Sequence, residues 1–75
     1  MNTTELLKFY DAKEKAAIEI LGNDLEYLRN RLAEAKSDRL KKSLVNQIQV
    51  QRRKMLEAAE RRISIHNILE EMKNV

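Results

Sequence analysis

Two long runs of this chain place a seam residue at every third or fourth position, and that spacing confines it to paired helices. The first run is Leu7, Tyr10, Glu14, Ala17, Leu21, Asp24, Leu28, Leu32 and Ala35, with Leu25 just beside it. The second is Leu44, Ile48, Gln51, Met55, Ala58, Arg62, Ile65, Leu69 and Met72. No stretch alternates at period two, so strands are not supported. The chain has no proline and one glycine, Gly22, and 36% of it is charged. That is the composition of long amphipathic helices.

Between the runs lies Lys36-Ser37-Asp38. Ser37 and Asp38 can each cap a new helix by accepting hydrogen bonds from its first free N–H groups. A chain folded back here would bring together residues whose numbers have a constant sum. Leu32 with Leu44, Leu28 with Ile48, Leu21 with Met55, Ala17 with Ala58, Tyr10 with Ile65 and Leu7 with Leu69 all sum to 75 or 76. The same rule sets Glu14 against Arg62 and Asp24 against Gln51, so each polar seam residue meets a complement. A parallel two-stranded coil would instead stack Glu14 on Glu14 and Arg62 on Arg62. An antiparallel dimer of unbroken helices makes the same contacts between chains, but Ser-Asp is a poor centre for a helix about 100 Å long.

The expectation is therefore an all-α, coiled-coil-like antiparallel hairpin filling residues 1–75 as one domain. Its helices fall at about 4–35 and 39–73, with a turn at 36–38 and a first cap at Thr3 or Thr4. A break at Gly22-Asn23-Asp24, where Asn23 precedes Glu26 by three, is the lesser alternative.

One hairpin does not use all the apolar residues. Phe9, Ala16, Ile20 and Tyr27 form a second stripe on the first helix, and Leu56, Ile63 and Ile68 lie off the seam of the second, with Val45 and Ala59. Wide apolar arcs of this kind belong to hairpins completed into bundles, by dimerisation or by a protein partner. A chain of this size buries only about 60% of the surface its unfolded form exposes, and it has no cysteine to cross-link.

Charge is uneven. Residues 1–35 hold seven acids and five bases, a net of −2, while residues 36–75 hold ten bases and five acids, a net of +5. Arg39, Lys41, Lys42, Arg52, Arg53 and Lys54 occur without an intervening acid and form a candidate basic face. Such a face can neutralise phosphates, yet no aromatic residue is interleaved and no recognition motif accompanies it.

The lone His66 lacks the thiols or second imidazole of a zinc site. Catalysis would require an oriented nucleophile and a pocket, which a two-helix hairpin scarcely provides. No catalytic residue, cofactor or small-molecule substrate is expected, and no membrane span. The absence of cysteine and of an export-like N-terminus makes cytoplasm the expected location.

Arg53-Lys54-Met55-Leu56-Glu57-Ala58-Ala59-Glu60, followed by Ile63, Ile65, Ile68 and Leu69, resembles the C-terminal helix of the small type III secretion co-chaperones, the YscE-like family. That resemblance implies a helical hairpin that pairs with a larger helical-repeat chaperone and keeps a needle subunit from polymerising early. The architecture is also similar to that of Rop-type plasmid RNA-binding hairpins, so binding of RNA or DNA through the basic second half is the alternative.

Overall fold

The computed structural model describes residues 1–74. Two helices, α1 (Thr3–Glu34) and α2 (Asp38–Lys73), lie side by side as an antiparallel hairpin about 58 Å long and 16 Å across. Among the described residues there is no strand. α1 runs unbroken through Gly22, so the alternative of two shorter helices is set aside.

Each helix starts on a side-chain cap. Asn2, rather than Thr3 or Thr4, caps α1: its Oδ1 accepts from the Glu5 N–H at 2.9 Å, and its amide donates to Glu5 Oε1 at 3.4 Å. This is a variant of the capping box, with Glu5 reaching back to the cap side chain. Ser37 caps α2 through Oγ, which accepts from the Leu40 N–H at 3.1 Å, and Asp38 adds an acid to the first turn. Three residues connect the helices. Ala35 leaves α1 in an extended conformation (φ −67°, ψ 133°), and no described residue has positive φ. The turn therefore needs no glycine.

Inward positions on α1 are Leu7, Asp11, Glu14, Ile18, Leu21, Leu25, Leu28 and Leu32; those on α2 are Leu44, Ile48, Gln51, Met55, Ala58, Arg62, Ile65 and Leu69. Spacings of three and four continue without drift, so the helices keep a seven-residue seam along their length. On α2 this matches the expected seam except at Met72, which is exposed. On α1 it does not. The expected Tyr10 and Asp24 are exposed, while Asp11 and Leu25 take the inward positions beside them. α1 is thus rotated about its axis by roughly 50°, one-seventh of a full turn.

Two polar pairings change with that rotation. Asp24 does not cover Gln51, whose Oε1 is buried without a hydrogen-bond partner. Glu14 pairs with Arg61 instead of Arg62.

Among the described residues only Leu25, Leu28, Leu44 and Ala58 are buried. Three of these four lie in the half nearest the loop. In the other half, Asp11, Glu14 and Arg62 take up inward positions, and the seam there is charged.

Gly22 sits in mid-helix, where glycine costs about 0.5–1 kcal/mol relative to alanine. A Cβ built there would stand 3.7 Å from Met55 Cε, an ordinary van der Waals contact. Gly22→Ala is therefore expected to stabilise the hairpin by about 0.5–1 kcal/mol, read as a higher denaturation midpoint in urea with an unchanged slope. A lower midpoint would show that the helices cannot accommodate even one methyl group at this crossing.

Candidate functional site

The rotation of α1 decides which side chains share a face. In a seven-residue seam, positions flanking it on one side of α1 lie on the same side of the hairpin as the matching positions of an antiparallel α2. Leu6, Tyr10, Ile20 and Tyr27 fall on one side of α1, and Leu40, Val50 and Ile68 on the same side of the hairpin from α2. All seven are among the exposed large apolar residues, with Ile20 and Tyr27 each 61% exposed. We call this the tyrosine face.

The opposite side is different. There Ile18, Gly22, Leu25, Met55, Leu56 and Ala59 line a shallow groove flanked by Arg29 and Arg52. Ile63 lines the adjoining hollow with Ile18, Ala59, Arg62 and His66.

The seven expected interface residues are all exposed, but they do not form one surface. Ile20, Tyr27 and Ile68 lie on the tyrosine face. Phe9 and Ala16 sit on the back of α1 at its edge, where Phe9 meets Tyr10 edge-to-face with ring centroids 5.9 Å apart. Leu56 and Ile63 belong to the groove side. Leu6, Tyr10, Leu40 and Val50 were not among the expected set. For Leu6 the signal was its seven-residue spacing with Ile20 and Tyr27, with Lys13 filling the gap.

Cations lie over two of the three aromatic rings of α1, which keeps those rings partly covered. Lys13 Nζ is 5.7 Å from the Phe9 ring centroid, and Arg31 Cζ is 5.9 Å from that of Tyr27.

The strongest polar contacts cross the seam at the open end of the hairpin. Arg61 grips Glu14 by Nε to Oε1 at 2.7 Å and by Nη2 to Oε2 at 3.1 Å. Arg62 grips Asp11 in the same way, at 2.9 and 3.3 Å. Fork-to-fork pairing fixes angle as well as distance, so these two pairs hold the register. His66 Nε2 approaches Asp11 Oδ1 at 3.0 Å. A carboxylate only accepts, so that ring nitrogen carries the hydrogen. The partner of His66 thus lies across the seam, on α1.

These contacts lower both carboxyl pKa values. Hydrogen bonding from Arg62 is the main cause for Asp11, opposed by partial desolvation and reinforced by His66. Hydrogen bonding from Arg61 does the same for Glu14. Both guanidinium groups are shifted upward by the same bonds.

The expected basic face is a collar. Arg52, Arg53 and Lys54 are consecutive on α2 and point in three directions, while Arg39, Lys41 and Lys42 surround its first turns. All six are exposed, and among the described residues none makes an ion pair with an acid of α1. Cross-helix charge pairing is confined to the open end.

Among the described residues no three His, Cys, Asp or Glu side chains are grouped to hold a metal ion, and no helix is long and apolar enough to cross a membrane. Comparison with known protein families, characterised proteins and solved structures finds no match to the chain.

Asp11 and Glu14 titrate below their ordinary values of 3.8 and 4.5 in the folded state. The stability they confer is complete above those ordinary values and is lost as pH falls through the lower folded ones. The melting temperature is expected to hold from neutral pH to about pH 5 and to fall below it. The double variant Asp11→Asn, Glu14→Gln should melt lower than wild type at neutral pH and show a shallower acid decline. Parallel curves for the two proteins would remove these pairs from the account of stability.

Proposed function

We propose that this chain is a helix-binding module, an adaptor or co-chaperone subunit without catalytic chemistry of its own. The observation that carries this reading is the imbalance between inside and outside. Among the described residues four are buried, whereas thirteen large apolar side chains are exposed, seven of them on one face at helical spacing. Exposed apolar residues scattered singly are ordinary on protein surfaces; a continuous stripe of them marks an interaction site. An elongated apolar stripe on a helix pair fits further helices packed along it.

The likeness of Arg53–Glu60 and the following isoleucines to the YscE-like co-chaperones supports the co-chaperone form of this role. Shallow grooves between two helices suit knobs from a partner helix better than a small-molecule substrate.

Replacing Phe9 and Ile20 together by aspartate tests the reading. Both side chains are about half exposed or more, so helix content by circular dichroism should be retained. Association, whether with itself or with a co-purifying partner, should weaken on the order of a hundredfold or more. Unchanged association would show that the apolar stripe of α1 is not the binding surface.

A second reading rests on the basic collar, whose six cations are free of acidic partners among the described residues. A polyanion such as RNA or DNA would neutralise them, with affinity falling steeply as salt rises. Under this reading, Arg52→Glu, Arg53→Glu and Lys54→Glu together abolish a salt-sensitive mobility shift. Absence of any such shift for the wild-type chain at low salt ends it.

A further inference from the structure

We infer that the occupant of the tyrosine face is a second copy of this chain, stacked so that the two loops lie at opposite ends of a four-helix bundle. This rests on the helix-binding reading above and names the partner for one of the two faces.

The first argument is the distribution of charge along the molecule. Residues 22–54, the loop half, hold nine bases and four acids, a net of +5. The remaining residues, at the open end, hold six bases and eight acids, a net of −2. Two hairpins stacked face to face can place their loops together or apart. Loops together sets two strongly positive halves side by side. Loops apart lays each positive half along the other copy's negative one.

The second argument is the pairing of individual residues. With the loops apart, each α1 lies antiparallel on the other copy's α1. The midpoint of Thr3–Glu34 falls between Ile18 and Glu19, so residues whose numbers sum to 37 meet. On the tyrosine face that sets Tyr10 on Tyr27, Ala17 on Ile20 and Lys13 on Asp24, each twice by symmetry. The same axis crosses α2 near Glu57, because level residues of the two helices sum to about 76, and the pairs that select the register are those of α1. The one unlike position there, Leu6 under Arg31, is one an arginine's aliphatic stem can cover.

The other stacking gives poor pairs. With the loops together, each α1 lies on the other copy's α2 at sums near 75, as within the hairpin. Lys13 then meets Arg61, Ile20 meets Lys54 and Asp24 meets Val50. Like charges and stranded polar groups replace the pairs of the first stacking, and Leu6 on Ile68 is the one apolar pair gained.

The surface is also large enough. A face 58 Å long and 16 Å wide offers roughly 900 Å² per copy, against about 800 Å² per partner in a standard stable interface. Covering the tyrosine face in this way leaves the groove around Gly22 and Leu56 open on each copy for a different helix.

Light scattering of the purified chain should give twice its 8.8 kDa mass. Lys13→Asp alone and Asp24→Lys alone should each weaken dimerisation by roughly tenfold, since each makes two repulsive pairs. Mixing the two variants in equal amounts should restore it, because the mixed dimer regains both attractive pairs. The chain has no cysteine, so a spin label at Lys36→Cys reports the loops alone. Label separations near the 58 Å length of the hairpin are expected, against roughly 20 Å, two helix diameters, if the loops adjoin.

A monomeric mass at millimolar concentration, close labels, or failure of the mixture to recover would each overturn the inference. None of these results touches the helix-binding reading, which stands or falls on the Phe9 and Ile20 substitutions measured with whatever partner associates.

Discussion

The seven-residue period of the inward positions governs everything else in this molecule. An undistorted helix would carry a seam of this period gradually around its surface, by about 20° each heptad. Over the length of α1 and α2, the helices stay in contact only by winding around one another. Once they do, every residue's side of the hairpin follows from its place in the repeat. The tyrosine face and the groove side are therefore consequences of the seam. So is the scarcity of core, because a two-helix layer has one narrow interior stripe and no second layer to seal it.

Within that stripe the two halves are held by different physics. Near the loop, Leu25, Leu28 and Leu44 are buried and the contact is apolar. Toward the open end, paired carboxylates and guanidinium groups occupy the seam, partly exposed and bidentate. Apolar contacts give association without much direction, whereas fork-to-fork pairs are particular about register. The three-residue turn fixes register at the apolar end, and the bidentate pairs fix it at the other. Using the acids of α1 and the bases of α2 this way also consumes charge at one end only. That leaves the collar at the other end unneutralised and the whole hairpin polarised along its axis.

Much of this is legible in the chain alone. The hairpin, its helix boundaries to within about a residue, the role of Ser37 and nearly the whole seam of α2 follow from spacing and from the mirror sum around the turn. The seam of α1 was misread by one edge, for an identifiable reason. Leu7, Glu14, Leu21 and Leu28 recur every seven residues and could be completed on either flank, by Tyr10, Ala17 and Asp24 or by Asp11, Ile18 and Leu25. At the first of these choices hydrophobicity favours Tyr10 over Asp11, and a scan for apolar residues takes the tyrosine. What decides the matter lies on the other helix. Arg62 faces inward on α2, and Asp11 satisfies it with both carboxylate oxygens, leaving Glu14 to Arg61. Pairing partners across a turn cannot be ranked residue by residue on one helix alone. The Asn2 cap was hidden likewise, since the neighbouring threonines are nearly as good.

The same rotation that costs α1 a tyrosine from its seam explains why the outside of the hairpin is so apolar. Had Tyr10 and Ala17 turned inward, Leu6, Ile20 and Tyr27 would have been an isolated, heptad-spaced line at the back of the helix. Turned outward, they widen that line into a surface reaching from one end of the molecule to the other. An apolar strip of this length is a liability for an isolated chain, since it promotes nonspecific association. It becomes specific only where charges along it restrict how another surface can lie. Lys13 and Asp24 stand on the α1 side of the strip with opposite sign, which penalises overlaps that set like charges together. Burial supplies the attraction, and such charges select its register.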